Sequence, residues 1–528
     1  MTDQGHDFSI PHAELEERSI ADLQRDLTTG AISAVELTQA YLDRINATND
    51  AGPALRAILE VNPDALDIAA DLDRERQSGQ LRGPLHGIPI LVKDNIDTAD
   101  SMLTTAGSLA LTDTRPSADA HVIQRLRAAG AVLLGKTNLS EWANFRSPNS
   151  TSGWSGRGGQ CVNPYQLDRS PSGSSGGSGI AATASLAGGT LGTETDGSIL
   201  SPSGVNGVVG VKPTVGLTSR SGVIPIAASQ DTIGPMCRTV ADAAVLLAAI
   251  AGPDSADAAT HAAPAIDWDI SKILDSNGLK GARIGVARAV YWGYHAPTDA
   301  IAEAALAALR DAGAEIIDPA DIPTAEEIRG GWPPPPADDR LNVLLYEFKA
   351  GINAYLAARG DASRVKTLED LIAFNNEHRD EEMPYFGQEL FEKAQEKGPL
   401  TDQGYLDSLA SNQRLSRQEG IDAVLRQHRL DALVMPTTSP GWKIDLVHGG
   451  GSKGGSSTPA ALAGYPAVTV PMGMVYGLPV GLTFMGTAWS EPVLLRFAYA
   501  FEQATRARRI PTYARPAVCP PGEKRLEY

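Results

Sequence analysis

Apolar positions change their rhythm near residue 84 of the chain. Before that point, Leu37, Tyr41 and Ile45 repeat at helical spacing behind Ser33 and Glu36, a capping-box pair. Asn62-Pro63 predicts a second helix start and Gly79 its stop, so residues 1–80 read as helices. From Pro84 onward short continuous apolar runs take over. Residues 88–92 predict a strand that ends at Lys93-Asp94-Asn95. A helix with Val122 and Leu126 on one face ends at Gly130, and residues 131–134 predict another strand. Residues 147–178 form a long polar loop dense in Gly, Ser and Pro, a length typical of functional loops. It leads into a helix of small residues at 180–187. Further strands are predicted at 205–211, 282–286, 315–317, 432–435, 467–470 and 480–484. Helices are predicted at 239–251, 299–312 and 491–507, and across most of 341–429. Residues 254–276 read as a linker and 330–339 as a Pro-rich loop. Strands alternating with helices predict an α/β fold.

Composition narrows the class. With 42% apolar residues among 528, the chain can bury a sizeable core, and 20% charged residues is not a disordered composition. The net charge of −18 gives no electrostatic footprint for nucleic acid or an anionic membrane. Three cysteines, Cys161, Cys237 and Cys519, are too few for a disulfide framework or a Cys-based zinc site. We read all three as structural or incidental. Residues 1–11 are polar, and the longest apolar stretch, 240–251, is interrupted by Asp242. These features predict a cytoplasmic protein without a signal peptide or membrane span.

Two motif matches fail on context. Residues 130–137 satisfy the phosphate-loop pattern, but their middle residues are apolar and form the strand itself, after a helix. Residues 173–177 satisfy GxSxG, yet the upstream run 163–172 is polar and proline-broken where a nucleophile elbow needs a strand. An α/β-hydrolase esterase would also need a late His and Asp. His428 and His448 with Asp431 or Asp445 are available by count alone.

A third constellation is coherent. Lys93 closes an apolar strand, Ser174 and Ser175 sit in Ser170-Pro171-Ser172-Gly173-Ser174-Ser175-Gly176-Gly177-Ser178-Gly179, and Ser198 sits in Gly192-Thr193-Glu194-Thr195-Asp196-Gly197-Ser198. Either feature alone is bland, a solvated lysine or a linker; their joint order is not. These runs, with His86-Gly87-Ile88-Pro89, Gly135-Lys136-Thr137-Asn138 and Val209-Gly210-Val211-Lys212-Pro213-Thr214, resemble the amidase signature family over nearly the whole chain. Within it the likeness is nearest to bacterial peptide amidase, through Arg157-Gly158-Gly159-Gln160, Ser229-Gln230-Asp231-Thr232 and residues 477–482. The resemblance implies one amidase domain over 1–528, a large mixed β-sheet core with α-helices on both faces. N-terminal helices would occupy 1–80, a catalytic core 84–255, a helical insertion 330–430 and the rest of the core 431–528.

The resemblance also implies a Ser–cis-Ser–Lys triad of Lys93, Ser174 and Ser198, with a cis peptide between Gly173 and Ser174. A serine hydroxyl needs a base, and lysine serves only if burial or nearby cations destabilise its ammonium. An apolar strand leading into Lys93 fits that need. Backbone N–H groups of Thr195, Asp196, Gly197 and Ser198 would form the oxyanion hole. Ser175 would cap the following helix or donate a hydrogen bond within the site. Glu194 and Asp196 would fix the loop. Where many members read Asp, any residue, Gly, Gly, Ser, Ile, Arg, this chain has Glu194 to Leu200, and Ser172 replaces the usual first glycine of the loop.

The implied activity is cleavage of carboxylic amides without a cofactor or metal. The peptide amidase likeness narrows it to ammonia release from C-terminal peptide amides or amino acid amides. Alternatives are a broad-specificity or aryl acylamidase and the amidase component of a glutamine-dependent amidotransferase. The pocket would be walled by residues 144–161 and 330–410. The only partner implied is a small-molecule or peptide amide, with no nucleic acid or membrane, for a monomer or homodimer.

Overall fold

The computed structural model describes residues 8–329 and 338–515. Most of the Pro-rich loop and Cys519 lie outside them. Strands in chain order are β1 (Ile58–Val61), β2 (Pro89–Lys93), β3 (Val132–Thr137), β4 (Trp154–Ser155), β5 (Gly159–Gln160), β6 (Gly189–Glu194), β7 (Val209–Lys212), β8 (Thr232–Cys237), β9 (Arg283–Val286), β10 (Glu315–Ile317), β11 (Ala432–Pro436), β12 (Ala467–Val475) and β13 (Leu478–Met485). Eleven of them form one sheet in the order β1-β3-β2-β6-β8-β7-β12-β13-β11-β9-β10, while β4 and β5 pair as a small ribbon.

The sheet is mixed. β2 runs parallel to both β3 and β6, and β6 pairs antiparallel with β8. The residues of β2, β3, β6, β7 and β8 are all buried, as for strands covered on both faces. Helices Gly176–Thr183 and Val240–Ile250 supply part of that cover; every residue of the first is buried, because Gly, Ser and Ala let it approach the sheet closely. Among the described residues no helix is long and apolar enough to cross a membrane.

Several expectations change. The first 80 residues are not all helical: Ile58–Val61 is an edge strand against β3. Val205 ends a helix, Leu200–Val205, and the following strand starts only at Val209. The small-residue helix begins inside the Ser/Gly run, at Gly176, and stops at Thr183. The linker-like stretch 254–276 holds the short helices Ala258–Ala262 and Ile270–Ile273. Two central strands, β6 and β8, carry too much Gly, Thr and Pro to read as strands. In β6 the glycine is required, since a Cβ on Gly192 would lie 2.8 Å from the Met236 sulfur and 2.9 Å from Ser175 Oγ.

The helical segment after residue 338 docks on the core through a buried ionic cluster. Arg146 donates to Glu141 Oε1 at 2.6 Å and also to the backbone carbonyl of Glu382, and its guanidinium lies 4.4 Å from the centre of the Phe386 ring. The Glu382 carboxylate in turn takes the N–H of Leu109 at 2.6 Å. All three charged side chains are buried, and burial drives the Glu141 carboxyl well above its usual range. One guanidinium therefore serves two carboxyl groups. Arg146→Met should lower stability by about 3–5 kcal/mol, because it leaves both acids buried without a cation. Urea unfolding of the two proteins measures the difference.

Candidate active site

Lys93 is the last residue of β2 and is fully buried. Its Nζ donates to Ser174 Oγ at 2.7 Å, to Thr193 Oγ1 at 2.8 Å and to the Thr193 carbonyl at 3.3 Å. Asn95 Nδ2 donates to the same Thr193 hydroxyl at 3.0 Å. Burial lowers the Lys93 ammonium to about 7, against the opposing pull of Asp231 and Glu194. Near neutral pH the group is thus divided between ammonium and amine.

Ser174 is buried, and the peptide bond from Gly173 to Ser174 is cis. Its carbonyl accepts the Ser140 N–H at 3.0 Å. Ser172 stands at φ 61°, a left-handed conformation that suits glycine better than serine. Ser175 occupies the N-cap position of Gly176–Thr183 but makes no side-chain cap bond. Its Oγ instead donates to the Thr193 carbonyl at 3.0 Å and accepts the Thr193 N–H at 3.3 Å, and its own N–H reaches the Ser198 carbonyl at 3.2 Å. The helix-capping expectation for Ser175 is therefore replaced by a staple between the two serine segments.

Ser198 follows Gly197, whose φ of 83° is left-handed and whose Cβ position would lie 2.9 Å from Ser457 Oγ. Both facts demand glycine. Glu194 fixes this turn. One of its oxygens accepts Gly197 N–H at 2.8 Å, and the other accepts Ile199 and Leu200 N–H at 2.7 and 2.9 Å. Its carboxyl is buried and pushed upward, with Lys212 opposing that shift. Burial brings Lys212 itself down to about 8. The Gly197 N–H is thereby engaged and drops out of the expected oxyanion hole. Among the described residues no hydrogen bond engages the N–H groups of Thr195, Asp196 and Ser198.

Thr195 to Ser198 and Gly173 line a cavity of about 450 Å³. Asn144, Phe145 and Ser150 wall one side, and Arg340, Leu341 and Leu344 another, within the two segments expected. Trp442, His448, Ser452 and Ser457 also line the cavity, outside the two expected segments, as do Ile226 and Gln230. The Gly/Ser-rich run 449–457 carries the same long-polar-loop signal as 147–178 and could have been read the same way.

Residues 36–495 match the sequence model of the family described as Amidase. The chain belongs to the amidase signature family. The solved native peptide amidase from Stenotrophomonas maltophilia is 52% identical, with a TM-score of 0.89 over 95% of this chain and 99% of its own. A protein of Arthroderma benhamiae named as an amidase is 43% identical, covering 92% of this chain and 81% of its own. A glutamyl-tRNA(Gln) amidotransferase chain from Chloroflexus aurantiacus is 37% identical, covering 93% of this chain and 97% of its own. This amidase is a hydrolase of C–N bonds, and its large mixed sheet is that of the family.

The other candidate groups fall away in this amidase. Ser175, the serine an esterase elbow would use, is buried with its hydroxyl on the Thr193 backbone, while the exposed His448 pairs with Asp445 at 2.8 Å. Lys136 of the phosphate-loop match lies in β3 and donates to the Ile96 carbonyl at 2.6 Å. Cys161 and Cys237 are buried, and burial pushes the Cys161 thiol up to about 12, far from a reactive thiolate. Among the described residues no group of three His, Cys, Asp or Glu side chains is placed to hold a metal. Glu194→Gln should cost about 3 kcal/mol of stability, because one amide oxygen cannot accept three N–H groups. It should also lower turnover by loosening the turn at Gly197. Thermal unfolding and steady-state kinetics on one preparation check both.

Proposed function

We propose that this amidase hydrolyses carboxylic amides through an acyl-enzyme on Ser198, with Lys93 as base and Ser174 as relay, and that it releases ammonia from C-terminal peptide amides or amino acid amides. The observation that carries the reading is the buried Lys93 amine on Ser174 Oγ at 2.7 Å. When Lys93 is neutral, its two hydrogens serve the two Thr193 oxygens, and its lone pair faces the Ser174 hydroxyl. Ser174 passes its proton to Lys93 and takes the Ser198 proton as Ser198 Oγ bonds to the amide carbon. The carbonyl electron pair moves onto oxygen, facing the N–H groups of Thr195, Asp196 and Ser198. When the C–N bond breaks, the nitrogen receives the proton back through Ser174 and leaves. Water then repeats the attack, freeing the acid and Ser198.

The likeness to peptide amidase supports the substrate class. A cavity of this size, with a wall from the helical insertion, can take a peptide acyl chain on one side of Ser198. Ammonia is a leaving group that needs little room on the other. The amidotransferase alternative draws on the 37% relative, but Leu200 stands where many members carry arginine.

Two experiments test the reading. On a short peptide amide and the matching anilide, ammonia should come from the primary amide, and Ser198→Ala should lower kcat by about 10⁴-fold or more. Preference for the anilide would assign an aryl acylamidase, and activity on free glutamine alone a component of an amidotransferase. The pH profile gives the second test. Protonated Lys93 cannot accept a proton, so kcat/KM should fall as pH drops through about 7. Lys93→Met should abolish that limb together with the activity.

A further inference from the structure

Three carboxylates surround the segment Thr195–Ser198. Glu194 holds its far end by backbone N–H groups, and Asp231 accepts the Thr195 hydroxyl at 2.5 Å. The third, Asp196, belongs to the segment itself and faces the cavity. One of its oxygens accepts Ser457 Oγ–H at 2.5 Å and the other Thr458 Oγ1–H at 2.9 Å.

These two hydroxyls stand at the start of helix Thr458–Ala463, where serine and threonine ordinarily satisfy the helix's own N–H groups. Here Ser457 occupies the N-cap position without a side-chain cap bond. Both hydroxyls turn across to Asp196 instead. The helix is anchored in the core through buried Ala460, Leu462 and Ala463, in the same cluster as Leu200. It is therefore a firm support. The preceding run lines the cavity at Ser452, Gly454 and Gly455.

We propose that Asp196 is a positioning residue: its carboxylate fixes the angle of the oxyanion-facing backbone and ties that backbone to the cavity wall at 452–458. The inference rests on the triad reading above. The side chain acts through its own peptide group, whose N–H faces the developing oxyanion, and not by contact with the acyl chain. A substrate seated against that wall thereby bears on the hole through two hydrogen bonds. A misplacement of about 1 Å at a reacting centre costs on the order of 100-fold in rate, so a short clamp of this kind has a kinetic effect.

The test compares Asp196→Asn, the double variant Ser457→Ala/Thr458→Val, and Thr458→Ser, on an N-acylated peptide amide and on the same peptide amide with a free amino group. The first two should lose about 10- to 100-fold in kcat with KM within about twofold of the parent. Thr458→Ser keeps the hydroxyl and should keep the rate. A peptide aldehyde supplies a readout that fold stability does not move. Ser198 Oγ bonds to its carbonyl carbon, the C=O pair moves to oxygen, and the Oγ proton passes through Ser174 to Lys93. Its affinity should weaken by the same factor as kcat, while affinity for the peptide acid stays. Unchanged kcat in the double variant overturns the inference. So does a raised KM confined to substrates with a free amino group, which would make Asp196 a direct ligand of that cation. Turnover retained by Ser198→Ala would instead overturn the triad reading, whatever the Asp196 variants do.

Discussion

Holding an amine in a dry interior is the constraint from which the rest of this architecture follows. An ammonium prefers water strongly, so the sheet must be closed on both faces around the end of β2 to bring Lys93 near neutrality. Complete isolation would overshoot and leave an amine too weakly basic to take a proton, with no carboxylate to temper the shift. Asp231 and Glu194 lie near enough to raise the value again without forming a direct ion pair. Thr193, on the neighbouring strand, offers two oxygens that orient the amine. The lysine, its orienting threonine and Glu194 thus sit on β2 and β6, adjacent parallel strands that cannot slide independently.

Two of the carboxylates around the site act on backbone. Glu194 takes three N–H groups, and Asp231 takes two more, from Ile226 and Ala227, besides the Thr195 hydroxyl. Acidic side chains of this kind hold peptide groups in fixed directions, which would suit the oxyanion hole proposed above, whose donors must not relax when charge develops. Burial pushes Asp231 up to about 6. A group that protonates near that value loosens its grip on the turn as it does so.

The chemistry was legible in the sequence where local pattern and side-chain chemistry coincide. The apolar run into Lys93, the Ser/Gly loop and the Ser198 segment each carry a signal, and the structure brings Lys93 onto Ser174. The strands flanking them were not legible. β6 needs Gly192 because Ser175 and Met236 occupy the space of a side chain, and β8 contains Pro235, so neither shows the β-branched run of a buried strand. Ile58–Val61 is too short for alternation to register. The engagement of Gly197 N–H by Glu194 depends on three-dimensional reach and has no counterpart in spacing. The wall at 442–458 is legible only as a polar, glycine-rich loop, since its His448 and Asp445 match only the esterase pattern that fails on context.

The cavity is assembled from parts with different obligations. Its floor belongs to strands and turns whose backbone directions are held by Glu194 and Asp231. Part of its wall, Arg340, Leu341 and Leu344, belongs to a helical segment latched onto the core by Arg146 with two glutamates. Divergence can then proceed on the wall while the floor stands still. A helix residue such as Leu341 or Leu344 can change what fits without disturbing the lysine. Two descendants of such a scaffold can therefore align from end to end and still serve unrelated metabolites.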